Sequence, residues 1–337
     1  MVVIAALAQG AAPPTHQASA IVTSEFIAPT PPTLSAHAST IVETPSGLVA
    51  AWFGGTREGA SDVGIWFTRH DASGWTAPVE VASGIQGDGR RFPCWNPVLF
   101  RSRDGMLRLF YKVGPAPARW WGMTITSRDD GATWTAPARL PDGILGPIKN
   151  KPVELANGVV VSPSSTESTD ADPIWRVHFE RSAEGGATWS LVRPASAPSE
   201  LNAIQPSVLT YADGRLQAVG RTRSGKLFET WSRDMGKTWS SLALLDVPNP
   251  NAGIDAVTLR DGRQLLVYNH TPTGRSPLNV AVSRDGAHWR MVLVLESEPG
   301  EYSYPAVIQT RDGLVHVTYT WRREKVKHVV IDPARLQ

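Results

Sequence analysis

Six polar residues stand at the heads of short apolar runs, spaced 49 to 59 residues apart: His37, Asn96, Lys151, Gln205, Asp255 and Tyr304. Their types suit proton exchange and the recognition of a polar ligand. Histidine is the side chain that most readily exchanges a proton near neutral pH, and a lysine can neutralise a carboxylate. Six polar residues at one repeated position are hard to explain as core, whereas a few convergent polar groups in a concavity are the usual form of a ligand site. To converge, they must ride on repeated elements arranged about a common axis.

The repeat is visible in the sequence. A small or polar residue followed by Gly recurs between two apolar runs, at Ser46-Gly47, Asp104-Gly105, Asn157-Gly158, Asp213-Gly214, Asp261-Gly262 and Asp312-Gly313. Such dipeptides suit tight hairpins, because Gly accepts positive φ and Asn or Asp tolerates it. The run before four of these hairpins begins with a residue followed by Pro, at Asn96, Lys151, Gln205 and Tyr304, with His37-Ala38 and Asp255-Ala256 taken as the equivalents. Proline is tolerated at a first strand position. A later element ends in Trp, and the tryptophans at 75, 134, 189, 239 and 289 are 59, 55, 50 and 50 residues apart. Four short strands per unit, repeated six times, predict an all-β, six-bladed β-propeller over residues 21–337.

The segments Ser127-Arg-Asp-Asp-Gly-Ala-Thr-Trp134 and Ser232-Arg-Asp-Met-Gly-Lys-Thr-Trp239 carry the most regular copies of the Trp element. Ser182 to Trp189, Ser283 to Trp289 and Thr68 to Trp75 are weaker copies. This Ser-x-Asp-x-Gly-x-x-Trp pattern resembles the Asp-box of the sialidases and related BNR-repeat proteins. Its expected use is structural: Asp and Ser bond turn backbone, Gly permits the bend, and Trp fills the space between sheets. The resemblance runs from about His37 to Tyr319 and implies a site. Arg221 and Arg275 fall at two of the three arginines that hold a substrate carboxylate, Tyr302 at the nucleophile and Asp62 at the acid/base, with Arg57 in the same loop. His37 stands where the first arginine would be, and Ala203 where the glutamate that activates the tyrosine would be.

Those two departures matter chemically. Histidine lacks the fixed charge and bidentate geometry of arginine, and a tyrosine of ordinary pKa near 10 needs an activating base. The expected function is therefore an exo-acting, sialidase-like glycoside hydrolase on an acidic glycan, distinct from a standard sialidase. His37, Asp62 and Tyr302 are the catalytic candidates. Arg57, Asn96, Lys151, Gln205, Arg221, Asp255, Arg275 and Tyr304 are the substrate-binding ones. Two alternatives stay open: a uronate lyase of the rhamnose-glucuronate type, with His37 or Tyr302 removing the proton α to the carboxylate, and a glycan-binding propeller without catalysis. Glu167, in a polar loop, reads as solvated.

Composition narrows the partners. With 33 Lys and Arg against 31 Asp and Glu, and a net charge of +2, nothing points to nucleic acid or a membrane surface. The single cysteine, Cys94, rules out a disulfide framework or a multi-cysteine metal site, and no cofactor is implied. The apolar run Val2 to Ala8 and the small-x-small triplet Ala6-Leu7-Ala8 read as the remnant of a signal peptide, with residues 1–20 as leader and linker. The expectation is a secreted or periplasmic monomer.

Overall fold

Each sequence repeat becomes one antiparallel sheet in the computed structural model, which describes residues 19–184, 186, 188–196 and 201–336. Blade I contains Ser35–Thr44, Gly47–Gly55 and Gly64–Asp71, and blade II contains Cys94–Arg101, Leu107–Val113 and Trp121–Ser127. Blade III is built on Val153–Glu154, Val160–Glu167 and Trp175–Ser182, and blade IV on Ala203–Thr210, Leu216–Thr222 and Lys226–Ser232. Blade V runs through Asp255–Thr258, Gln264–Tyr268 and Leu278–Ser283, and blade VI through Tyr302–Gln309, Val315–Trp321 and Lys325–Ile331. The ring closes through strand pairing: Ile21–Phe26, the first strand of the chain, is the outer strand of blade VI, antiparallel to Lys325–Ile331. The export reading falls on residues outside those described, apart from Ser19 and Ala20, the latter buried with blades V and VI.

The hairpins and Trp elements form as the residue types dictate. In the turn between the two inner strands of blade IV, the Asp213 carboxylate accepts from the Arg215 amide, and Gly214 takes φ +84°. In the Trp element of blade II, Ser127 Oγ donates to Asp129 and accepts the Gly131 amide, while Asp129 accepts both the amide and the hydroxyl of Thr133. Blade IV repeats that pattern with Ser232, Asp234, Gly236 and Thr238. The tryptophan then crosses to the preceding blade: Trp134 meets Phe67 edge-on, and Trp239 stacks on Phe179 at 3.8 Å. Apolar clusters fill the seams in this way, and the blades need no separate core of their own.

The closing seam is different, because its apolar contacts enclose a polar chain. His316 Nδ1 lies 2.9 Å from His328 Nε2, whose Nδ1 lies 3.0 Å from Glu25 on the first strand. Trp75 of blade I donates to the same Glu25 oxygen, and His70 stacks edge-on against Trp75. Burial and the neighbouring His328 pull His316 down to about 4, with Asp312 acting in the opposite direction. A buried histidine held neutral binds fewer protons than the unfolded chain, so stability rises with pH between about 4 and the free value of 6.5, and falls as the solution is acidified through that window. His316→Asn should therefore flatten the dependence of Tm on pH between 6.5 and 4, each unit of depressed pKa being worth about 1.4 kcal/mol. Thermal melts of the two proteins at matched pH measure it, and parallel curves would remove the histidine from the acid response.

Candidate active site

Four innermost strands open with the same irregularity. The register shifts between His37 and Thr40, Trp95 and Val98, Ile204 and Ser207, and Ser303 and Ala306. In each shift one residue takes a left-handed φ: Ala38 +53°, Asn96 +34°, Gln205 +57° and Tyr304 +51°. These are β-bulges, which add an unpaired residue and re-aim a side chain. Proline follows in three of them because a bulge residue gives no ladder bond.

The bulges correct the register read from the sequence. The position of Asn96, Gln205 and Tyr304 belongs in blade I to Ala38, one residue after His37. Counting back from the hairpins of blades III and V gives Lys149 and Gly253 at that position, two residues before Lys151 and Asp255. Packing agrees: a Cβ on Gly253 would lie 3.3 Å from both Lys149 and the Tyr304 ring. Lys151 and Asp255 therefore sit one step farther along the channel, where they join blades. Lys151 Nζ is 2.8 Å from Asp255 Oδ2, which also accepts the Val307 amide, while Oδ1 accepts Ser207 Oγ. A carboxylate buried and occupied on both oxygens is not available to a substrate, so the binding role expected of Asp255 is replaced by a structural one, with Lys151 as its counter-ion.

At the open end, Tyr304 is the centre. Its ring lies 4.3 Å from that of His37, and its hydroxyl accepts from Arg221 Nη2 at 3.0 Å. Arg221 is fixed further by the Asn251 carbonyl, at 3.0 Å, and by the Trp175 face, 5.3 Å away. His37 is buried against Phe53, with Nδ1 2.9 Å from Thr320 Oγ1. Burial first, then the charges of Arg323, Arg275, Arg221 and Lys149, hold the imidazole well below its ordinary pKa, so it is neutral at working pH. Arg275 comes from the loop before the third strand of blade V. Its carbonyl accepts from Asn269 Nδ2 and from the Tyr302 amide.

Several buried polar atoms here have no hydrogen-bond partner among the described residues: His37 Nε2, Gln205 Oε1, Arg221 Nε and Arg275 Nη1. Neither Arg221 nor Arg275 forms an ion pair with a carboxylate among the described residues. Beneath them, Lys149 Nζ donates to Asn150 Oδ1 and the Ile254 carbonyl, both at 2.8 Å, and to the Pro305 carbonyl. Burial pulls that lysine down to about 7 against the attraction of Asp255. Its three acceptors match the three N–H bonds of an ammonium.

Other expected site residues fall elsewhere. Tyr302 is 1% exposed and packs among Leu278, Val280, Val317 and Tyr319, so the tyrosine available for chemistry is Tyr304. Asp62 is held by the Thr56 amide and hydroxyl and faces an outer hollow with Pro31, Trp66, Glu80 and Lys325. The Thr56 hydroxyl keeps its carboxyl low, the wrong direction for a proton donor. Arg57 is exposed at the turn of the same loop, and Asn96 lies buried at its bulge. Ala203 is core, as its type requires. Glu167, read as solvated, is instead half-buried across from Trp175 near Arg221, and burial raises its pKa.

The model of the BNR repeat-like domain matches residues 46–317. A protein named Sialidase from Bacteroides fragilis (strain YCH46) is 25% identical over 179 residues, which is 48% of this chain and 31% of that relative. Among solved structures, a Dyadobacter fermentans protein of unknown function superposes with a TM-score of 0.76 at 18% identity, covering 93% of this chain and 98% of its own. The NanB sialidase from Streptococcus pneumoniae gives 0.72 at 14% identity, covering 90% of this chain and 69% of its own. At these identities the two structures establish the fold.

The structural role of Asp255 is testable apart from any activity. Asp255→Ala leaves Lys151 and Lys149 without their counter-charge and should cost about 3–5 kcal/mol in urea unfolding. A loss below 1 kcal/mol would return Asp255 to the list of ligand contacts.

Proposed function

Because this chain belongs to the BNR repeat-like domain family and folds as a sialidase-like propeller, we propose that it is an exo-acting glycoside hydrolase whose substrate ends in an acidic sugar. The observation that carries this reading is the pair of guanidiniums, Arg221 and Arg275, gathered around Tyr304 with neither in an ion pair with a carboxylate among the described residues. Unpaired cations in a partly dry site are costly unless an anion completes them. A sugar carboxylate fits the planar, forked donors of arginine.

In the hydrolytic reading the Tyr304 oxygen attacks the anomeric carbon, the glycosidic bond breaks, and its oxygen leaves with a proton. Arg221 already donates to the phenol oxygen, so the phenol proton is directed to another acceptor. Neutral His37, its ring tilted at 49° to that of Tyr304, stands beside it as the acceptor that takes the phenol proton and returns it when water releases the sugar. Of the nearby carboxyl groups, Glu167 is raised by burial, the direction a proton donor needs. Water then displaces the sugar from Tyr304, and the carboxylate stays with the arginines through both steps.

One observation favours a second reading, β-elimination from a uronic acid. When the proton of neutral His37 is on Nδ1 and donated to Thr320, the unpartnered Nε2 presents a lone pair. Such a base can take the proton α to the carboxylate while the arginines stabilise the enolate-like charge. The glycoside then leaves from the β-carbon and an unsaturated sugar remains.

Product mass decides between them. Incubation with sialylated and uronate-capped oligosaccharides should yield a terminal sugar that has gained water. An unsaturated uronate would establish elimination in its place. Tyr304→Phe should lower kcat roughly 10²- to 10⁴-fold, whereas Tyr302→Phe should leave kcat near wild type. The reverse ranking would return the nucleophile to Tyr302. Binding without turnover across the panel would favour the glycan-binding alternative.

A further inference from the structure

Two consecutive arginines occupy the hairpin between the second and third strands of blade VI, both with left-handed backbone, Arg322 at φ +54° and Arg323 at φ +59°. Turns needing positive φ favour Gly, Asn and Asp. An arginine there carries a backbone cost, and residues held in such conformations cluster at functional sites. The hairpin is also pinned to the site: the Arg323 carbonyl accepts the amide of Ala36, the residue before His37.

The side chain is held with equal care. Arg323 Nε donates to Glu301 at 2.7 Å, and Nη1 pairs with Glu58 of the loop between the second and third strands of blade I. Ser303, next to Tyr304, donates to the same Glu301 oxygen. Nη2 has no hydrogen bond within the described chain, and the side chain is 34% exposed. Arg323 thus lies on the seam between blades VI and I, where His37 and Tyr304 meet, with Nε and Nη1 committed to the protein and Nη2 left for a further acceptor. The same guanidinium is the strongest of the charges acting on His37, and it also acts on Arg275.

We propose that Arg323 is a specificity residue that binds the anionic group of the terminal sugar, supplying from the last blade the positive charge that position 37 lacks. This rests on the reading of the site as one for an acidic sugar. Glu301 and Glu58 are positioning residues: they orient the fork and spread its charge when the site is free. The anion is held between Arg323 on one side and Arg221 with Arg275 on the other.

The test compares a carboxylate ligand with its neutral counterpart. The probes are free N-acetylneuraminic acid and glucuronic acid, each beside its methyl ester, titrated calorimetrically into the full chain. Wild type should bind one of the acids more tightly than its ester. Arg323→Gln should weaken that acid about 10- to 100-fold, leave the ester unchanged and remove most of the preference, and Arg323→Lys should restore part of it. Tm measured on the same samples separates binding from folding, and if Arg323→Gln does not fold, Arg323→Lys and Glu58→Gln carry the comparison. A purely structural arginine would lower Tm while acid and ester weakened together, and that result overturns the proposal. If Arg275→Ala abolishes acid binding while Arg323→Gln retains it in full, this inference alone falls. If wild type prefers neither acid to its ester, the acidic-sugar reading falls and takes this inference with it.

Discussion

One buried ammonium group holds the centre of the channel together. A β-bulge takes carbonyl groups out of the sheet ladder, and a buried carbonyl without a partner is costly. The bulge of blade VI releases the Pro305 carbonyl, and the matching stretch of blade V releases that of Ile254; Lys149 Nζ takes both. Its neighbour Asn150 does the same for the carbonyls of Gln205 and Pro206 in blade IV. Two adjacent residues of blade III therefore satisfy the strained openings of three other blades. That arrangement allows Tyr304 to keep a left-handed backbone and stand in the channel. Gly253 takes part by omission, since any side chain there would occupy the space of the lysine stem and the Tyr304 ring.

The architecture was legible because its signals are local. Asp-Gly hairpins, Ser-x-Asp turns and inter-blade tryptophans each need only a few consecutive residues, and the repeat multiplies a weak signal sixfold. The register at the channel was not legible for the opposite reason. A reading by two-residue alternation places Tyr302 and Tyr304 on one face, and the extra residue in the bulge breaks that alternation, sending Tyr302 to the core and Tyr304 to the site. The register also differs by one residue at Ala38, beside His37, and by two at Lys149 and Gly253, ahead of Lys151 and Asp255. The prolines marked the bulges, but a proline at a strand start and one inside a bulge look alike in sequence. Asp62 was misread through an interaction internal to its loop: Thr56, six residues earlier, captures the carboxylate. Arg323 offered no signal at all, because its neighbourhood to His37 spans 286 residues of chain and exists only once the ring is closed.

Charge balance explains why position 37 tolerates a histidine. Lys149, Arg221, Arg275 and Arg323 all act on it in the same direction, while Asp255, a fully buried carboxylate, is consumed by Lys151, Ser207 and Val307 farther along the channel. Another fixed cation at a fully buried position would meet repulsion without solvent to screen it. A neutral imidazole removes that cost and fills the space against Phe53 and Tyr304. It also leaves a nitrogen able to exchange a proton with the ring beside it. The positive charge without an ion pair among the described residues then sits on Arg221 and Arg275, while Arg323, paired with Glu58 and Glu301, keeps Nη2 without a hydrogen bond among them, so the field that draws an anion to the mouth survives the loss of charge at position 37. Neutrality at that position and the arginine brought by the last blade are two parts of one electrostatic solution, and closure of the ring by the first strand is what brings them together.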